Sequence, residues 1–160
     1  MNRIKLTVLF TSFIALLFSL GACEKSAEAK KGTHYTKSGI VMSGAQVVPT
    51  SASPALGSMD VFYIRGTKTL NYTVTWSGLS GNPIGIGVYG LAPMGYAVPP
   101  TTPLQTISTS GKGTTGTFSG TLLVDGVVVK EENVLNGLYY IAMRTAAWPA
   151  GEIRGQIRFQ

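Results

Sequence analysis

The run Leu70-Asn-Tyr-Thr-Val-Thr-Trp-Ser77 (LNYTVTWS) decides the fold class. Leu70, Tyr72, Val74 and Trp76 alternate with Asn71, Thr73, Thr75 and Ser77. A helix would mix these two sets, because residues three and four apart share its face; a strand separates them cleanly. The β-branched and aromatic content fits a pleated surface buried on one side. Working outward, Ser58–Ile64 is a second strand, joined to the first through a hairpin turn at Arg65-Gly66-Thr67-Lys68. Ile84, Ile86 and Val88 alternate with Gly85, Gly87 and Tyr89. Further strands are expected at Ile40–Val47, Leu104–Thr109 and Thr114–Val124, after which Asp125-Gly126 turns the chain. One short helical turn is expected at Glu131–Leu135, stopped by Asn136-Gly137. Leu138–Arg144 then runs as a strand with Ile141 and Met143 inward. Past a turn at Trp148-Pro-Ala-Gly151, Glu152–Phe159 returns with Ile153, Ile157 and Phe159 inward. The same alternation puts Glu152, Arg154, Gln156 and Arg158 on an outer, solvated side. Short strands between Gly/Pro/Ser turns mean an all-β, antiparallel sandwich or partly closed barrel over residues 38–160.

Within this frame Gly90–Pro103 (GLAPMGYAVPPTTP) is the long irregular segment. Its prolines cannot donate to a ladder, so it is expected as a surface loop, and such loops often carry function.

The net charge of +6 suggests a nucleic-acid partner until it is divided by segment. Arg3 and Lys5 give +2, residues 24–37 give +2, and residues 38–160 give +2. The last stretch sets seven cations against Asp60, Asp125, Glu131, Glu132 and Glu152. With no basic stripe in the domain, nucleic-acid binding is not expected.

The N-terminus reads as a targeting segment. A basic start, Met1–Lys5, precedes an apolar run, Leu6–Leu20, short of the ~20 residues of a spanning helix and right for a signal-peptide core. Leu20-Gly21-Ala22-Cys23 resembles the bacterial lipobox. That resemblance implies cleavage after residue 22 and lipidation of Cys23, with a diacylglyceryl group and an N-acyl chain. Several chains anchor durably where one would be marginal, at ~0.8 kcal/mol per buried methylene. The expected address is the bacterial cell envelope. Glu24 rather than Asp follows Cys23, which favours the outer membrane by the rule known from enteric bacteria. Cys23 is the chain's one cysteine, so neither an intrachain disulfide nor a thiolate cluster can form. Residues 23–37 read as a flexible, lipid-bearing tether, in which His34 is a solvated linker residue.

Catalytic equipment is sparse. After Lys37 there is no histidine or cysteine, which excludes Ser-His-Asp and Cys-His arrangements and typical zinc sites there. Asp60 and Glu152 approaching as a glycosidase-like pair is the remaining hydrolase reading, against the commoner fate of solvated or paired strand carboxylates. Gly111-Lys-Gly113 has no helix after it and reads as a hairpin turn rather than a phosphate loop.

Three stretches carry a family resemblance: SGAQVVP (Ser43–Pro49), GSMDVFYI (Gly57–Ile64) and YYIAMRTAAWPAGEIRGQI (Tyr139–Ile157). Together they resemble the CHRD domain, named after chordin and also found in bacterial secreted and envelope proteins. Gly151, Glu152, Ile153, Arg154, Gly155 and Gln156 form the signature. The resemblance implies an immunoglobulin-like β-barrel, no established catalysis and no cofactor. The family often carries His-x-His in a middle strand and His-Thr ending the tyrosine-led strand; here Gly85, Gly87 and Arg144 stand at those positions, with Thr145 following. No metal role is therefore expected. The alternation instead puts Arg144 on the same outer side as Gly85, Gly87, Tyr89 and Tyr140; were the two strands neighbours, it would lie over a glycine floor flanked by those tyrosines, with Trp148 nearby, as a shallow carboxylate or sugar site. The plainer alternative pairs Arg144 with Glu152 across the hairpin or stacks it on a tyrosine. The functional expectation is a lipid-anchored, non-catalytic binding or structural module for an extracytoplasmic protein or glycan. A carbohydrate- or peptide-binding accessory role using residues 90–103, Tyr96 and Trp148 stands beside it.

Overall fold

The computed structural model describes residues 33–160. The signal-peptide reading, Cys23 and most of the tether lie outside the described residues. Eight strands form one antiparallel sheet: β1 (His34–Ser43), β2 (Leu56–Ile64), β3 (Thr69–Ser77), β4 (Gly85–Tyr89), β5 (Gln105–Ile107), β6 (Gly116–Leu123), β7 (Tyr140–Arg144) and β8 (Ile153–Gln156). Their order is β5-β4-β7-β8-β1-β2-β3-β6. A short helix, α1 (Glu131–Leu135), and a 3-10 turn at Gly44–Gln46 complete the elements.

The alternation in LNYTVTWS is realised directly. Leu70, Tyr72, Val74 and Trp76 are buried, while Thr73, Thr75 and Ser77 face solvent. With Met59, Val61, Ile141 and Ile153 they line the barrel's main core. Each such large apolar side chain contributes about 1.5–3 kcal/mol by leaving water, and with one cysteine in the chain this core replaces disulfides.

The sheet curls until its two edge strands, β5 and β6, approach. No backbone ladder joins them. Gln105 of β5 closes the seam with its side chain, accepting from the Tyr72 hydroxyl at 2.8 Å and donating to the Thr121 carbonyl of β6 at 3.0 Å. The barrel is thus partly closed. Gly111-Lys-Gly113 is a turn, with Lys112 N–H donating to Thr109 O, but not a hairpin, because β5 pairs with β4 and β6 with β3.

Two expectations are corrected. The sheet begins at His34, not after Lys37: His34 pairs with Ile64 and its ring packs against Phe62, so residues 34–37 belong to the domain. Polar, exposed side chains there concealed an outer-facing strand segment. The larger correction concerns the last strand. Arg158 is exposed, but Glu152, Arg154 and Gln156 are 0%, 2% and 2% exposed. Alternation distinguishes the two faces of a strand; it does not say what covers the second one.

Candidate functional site

The covering element is the loop at residues 90–103. The outer face of β4, β7 and β8 carries Tyr89, Tyr140 and Ala142, which form a second small core with Ala92 and the half-buried Val98 of that loop. Tyr89 stacks on Tyr140 at 5.3 Å and 15°, and Arg154 lies over the Tyr140 ring at 3.6 Å. A cation on an aromatic face in a desolvated setting gains up to about 2 kcal/mol.

Backbone groups of the loop are bonded one by one. Arg154 donates from Nη1 to Tyr96 O at 2.6 Å and from Nη2 to Pro93 O at 3.3 Å. Gln156 accepts from Arg154 Nη2 at 2.6 Å and donates from Nε2 to Ala92 O at 3.0 Å. Val98 N–H donates to the Tyr140 hydroxyl, and the Tyr89 hydroxyl donates to Pro100 O, both at 3.2 Å. A loop with four prolines has carbonyls to spare and few N–H groups, so a rigid guanidinium fork is the fitting partner. Burial pulls the Arg154 pKa down from its ordinary value. Among the described residues no carboxylate pairs with this charge, which is solvated by carbonyls and a ring instead.

Glu152 performs the corresponding task at the other end of the signature. Its Oε1 accepts from Ser53 Oγ and Ser80 N, each at 2.7 Å. Its Oε2 accepts from Ser80 Oγ at 2.8 Å and Thr145 Oγ1 at 2.5 Å. Burial pushes this carboxyl up, but the donors from Thr145, Ser53 and Ser80 outweigh it and hold the pKa below the ordinary carboxylate value. Glu152 therefore ties the β1–β2 connection, the β3–β4 connection and the end of β7 to the start of β8. Ser53, Ser80 and Thr145 were missed in the sequence, where isolated hydroxyls in turns give no signal.

Arg144 does lie over glycine. It pairs in register with Gly85, and a Cβ at Gly85 would collide with its guanidinium. It also stands beside the Tyr89 hydroxyl, whose pKa burial raises and the guanidinium lowers. The rest of the expected open site is filled by the protein itself: Pro103 of the loop sits against Gly87, and Tyr89 and Tyr140 face each other. Arg144 does not pair with Glu152, whose oxygens are taken by hydroxyls and one amide. Arg144 Nε is buried and unpartnered.

Trp148 occupies the β7–β8 turn, half-buried, and among the described residues no hydrogen bond or ring contact joins it to Tyr96 or Arg144. Tyr96 is 68% exposed on the loop. Between loop, turn and sheet lies a cavity of about 50 Å³ lined by Tyr89, Val98, Tyr140, Ala150 and Arg154 among others, room for one or two waters. Asp60 is exposed on the outer face of β2 and accepts from Gly39 N at 2.8 Å, sharing no partner with enclosed Glu152. Among the described residues no group of three or more His, Cys, Asp or Glu side chains converges on a point.

The domain is thus an antiparallel, partly closed barrel whose last strand clamps a long loop with buried polar side chains. The CHRD domain model matches residues 39–157, and the chain belongs to that family. Searches of the curated proteins and of the solved structures each found no match.

Proposed function

We propose that this chain is a lipid-anchored cell-envelope protein whose CHRD domain presents the 90–103 loop as a preformed contact surface for an extracytoplasmic protein or glycan. The observation that carries this is the allocation of the family signature. Arg154 and Gln156 are spent on the loop's backbone, while Leu91, Met94 and Tyr96 are left 55%, 51% and 68% exposed. A loop held in advance loses little conformational freedom on binding, which is how a rigid scaffold raises affinity. Exposed Tyr and Met are side-chain types enriched at interfaces. The polar groups of the last strand, Glu152, Arg154 and Gln156, face inward and are bonded within the domain, which supports a non-catalytic reading.

A photo-crosslinking residue replacing Tyr96 in intact cells is expected to give a discrete adduct, protein or glycan, absent when the same residue replaces exposed Thr73 on β3. Equal labelling from both positions would refute a contact role for the loop. The anchor is tested separately: Cys23→Ala should abolish incorporation of a labelled fatty acid, and persistent labelling would remove that part of the reading.

A further inference from the structure

The strand register brings four strand ends together. His34 pairs with Ile64, Ile64 with Thr69, and Thr69 with Leu123. The chain thus enters the domain at the end of the barrel that carries the β6–α1 turn. That turn holds Val127, at 78% the most exposed large apolar side chain among the described residues, with Val128 at 61%; Leu123 at the end of β6 is 59% exposed.

The tip is built, not loose. Asp125 Oδ1 accepts from the N–H groups of Val127, Val128 and Val129, each at 2.9 Å. Gly126 N–H donates to Val129 O, and Val124 N–H to Lys68 O. Backbone amides that already have partners can approach lipid without the penalty that bars open loops from apolar surroundings. Lys68, whose carbonyl accepts from Val124, and Lys130, which follows Val129, are both exposed, Glu132 comes next, and Arg65 and Glu131 neutralise each other in an ion pair. Flanking ammonium groups suit a headgroup region beside a shallow apolar insertion.

We propose that this end of the barrel seats on the lipid bilayer, with Val127 and Val128 dipping into the interface. The inference rests on the reading of Cys23 as the anchor. Ten residues lie between Cys23 and His34, so the two are at most ~40 Å apart when the chain is fully extended. Seating the opposite end would use most of that reach to travel back along β1, whose ten residues span about 33 Å. Seating the entry end uses almost none of it, and it leaves the β7–β8 turn with Trp148 at the far end, directed away from the membrane.

The test uses the full chain, produced in a bacterial host and reconstituted into phosphatidylethanolamine/phosphatidylglycerol vesicles whose acyl chains are brominated. Tryptophan is introduced as Val127→Trp, as Val128→Trp, and as Ala146→Trp in the far β7–β8 turn. Circular dichroism confirms that each is folded. The expected result is loss of most of the emission added at positions 127 and 128, with emission added at 146 unchanged. Vesicle flotation without quenching at 127 and 128 overturns the seating and leaves the anchor intact. Failure of the unsubstituted chain to float overturns both. Emission at 127 that is shielded from aqueous iodide but untouched by bromolipid would mean a second copy covers the tip, and also overturns the proposal.

Discussion

Replacing Glu152 is the sharpest test of the buried-clamp reading, because its carboxylate accepts four hydrogen bonds in a site with no solvent exposure. Glu152→Ala removes every acceptor at once. The hydroxyls of Ser53, Ser80 and Thr145 can turn toward other partners, but the Ser80 amide cannot. Hydrogen bonds to a charged group contribute about 1.5–3 kcal/mol each, and an orphaned buried donor costs about 1–3 kcal/mol. Since the hydroxyls recover part of this, the expected net loss is about 3–5 kcal/mol, a large share of a small domain's total stability. Glu152→Gln keeps shape and one acceptor oxygen, and its NH2 group can donate to hydroxyl oxygens, so the loss should be about 1–2 kcal/mol. Linkage supplies an independent signature. The folded pKa lies below the unfolded value, so the carboxylate's contribution is fully present above the unfolded pKa and disappears as pH falls through the folded one. The parent should therefore lose part of its advantage over Glu152→Gln at pH values below about 4. Urea denaturation midpoints at neutral and acid pH measure both effects. An Ala variant within about 0.5 kcal/mol of the parent, or an Ala–Gln difference of zero, would refute the argument.

Arg154→Met should keep an unbranched side chain at this position but remove the guanidinium from the Tyr140 ring and release the carbonyls of Pro93 and Tyr96, raising amide exchange in residues 90–103 well above that in β2 and β3. Gln105→Ala opens the seam between β5 and β6; a cost of about 1–3 kcal/mol is expected, with faster exchange confined to β5 and the adjoining loops. Arg144→Ala removes a half-buried guanidinium that makes no ion pair, so thermal denaturation should register about 1 kcal/mol or less, whereas a much larger loss would show a structural partner overlooked on the outer face.

The sequence by itself determined the all-β class, the strand that organises the core and the family. LNYTVTWS reports its own burial because one face packs against the barrel interior and the other meets water, and period-two alternation follows from the pleat alone. GEIRGQ lies within the stretch that the CHRD domain model matches. Its residues' work was not legible, since Glu152, Arg154 and Gln156 bear the same polar pattern on a strand whether water or a loop lies above them. Only the tertiary structure decided that, by bringing Ala92, Pro93 and Tyr96 to within hydrogen-bonding distance of side chains some 60 residues later in the chain. The alternation did anticipate Arg144 over Gly85 and beside Tyr89, but not that Pro103 of the loop packs against Gly87 or that Tyr140 lies under Arg154. Local alternation fixes which way a side chain points; what it meets there depends on contacts far apart in sequence, and these hold the loop, the seam and the Glu152 knot in place.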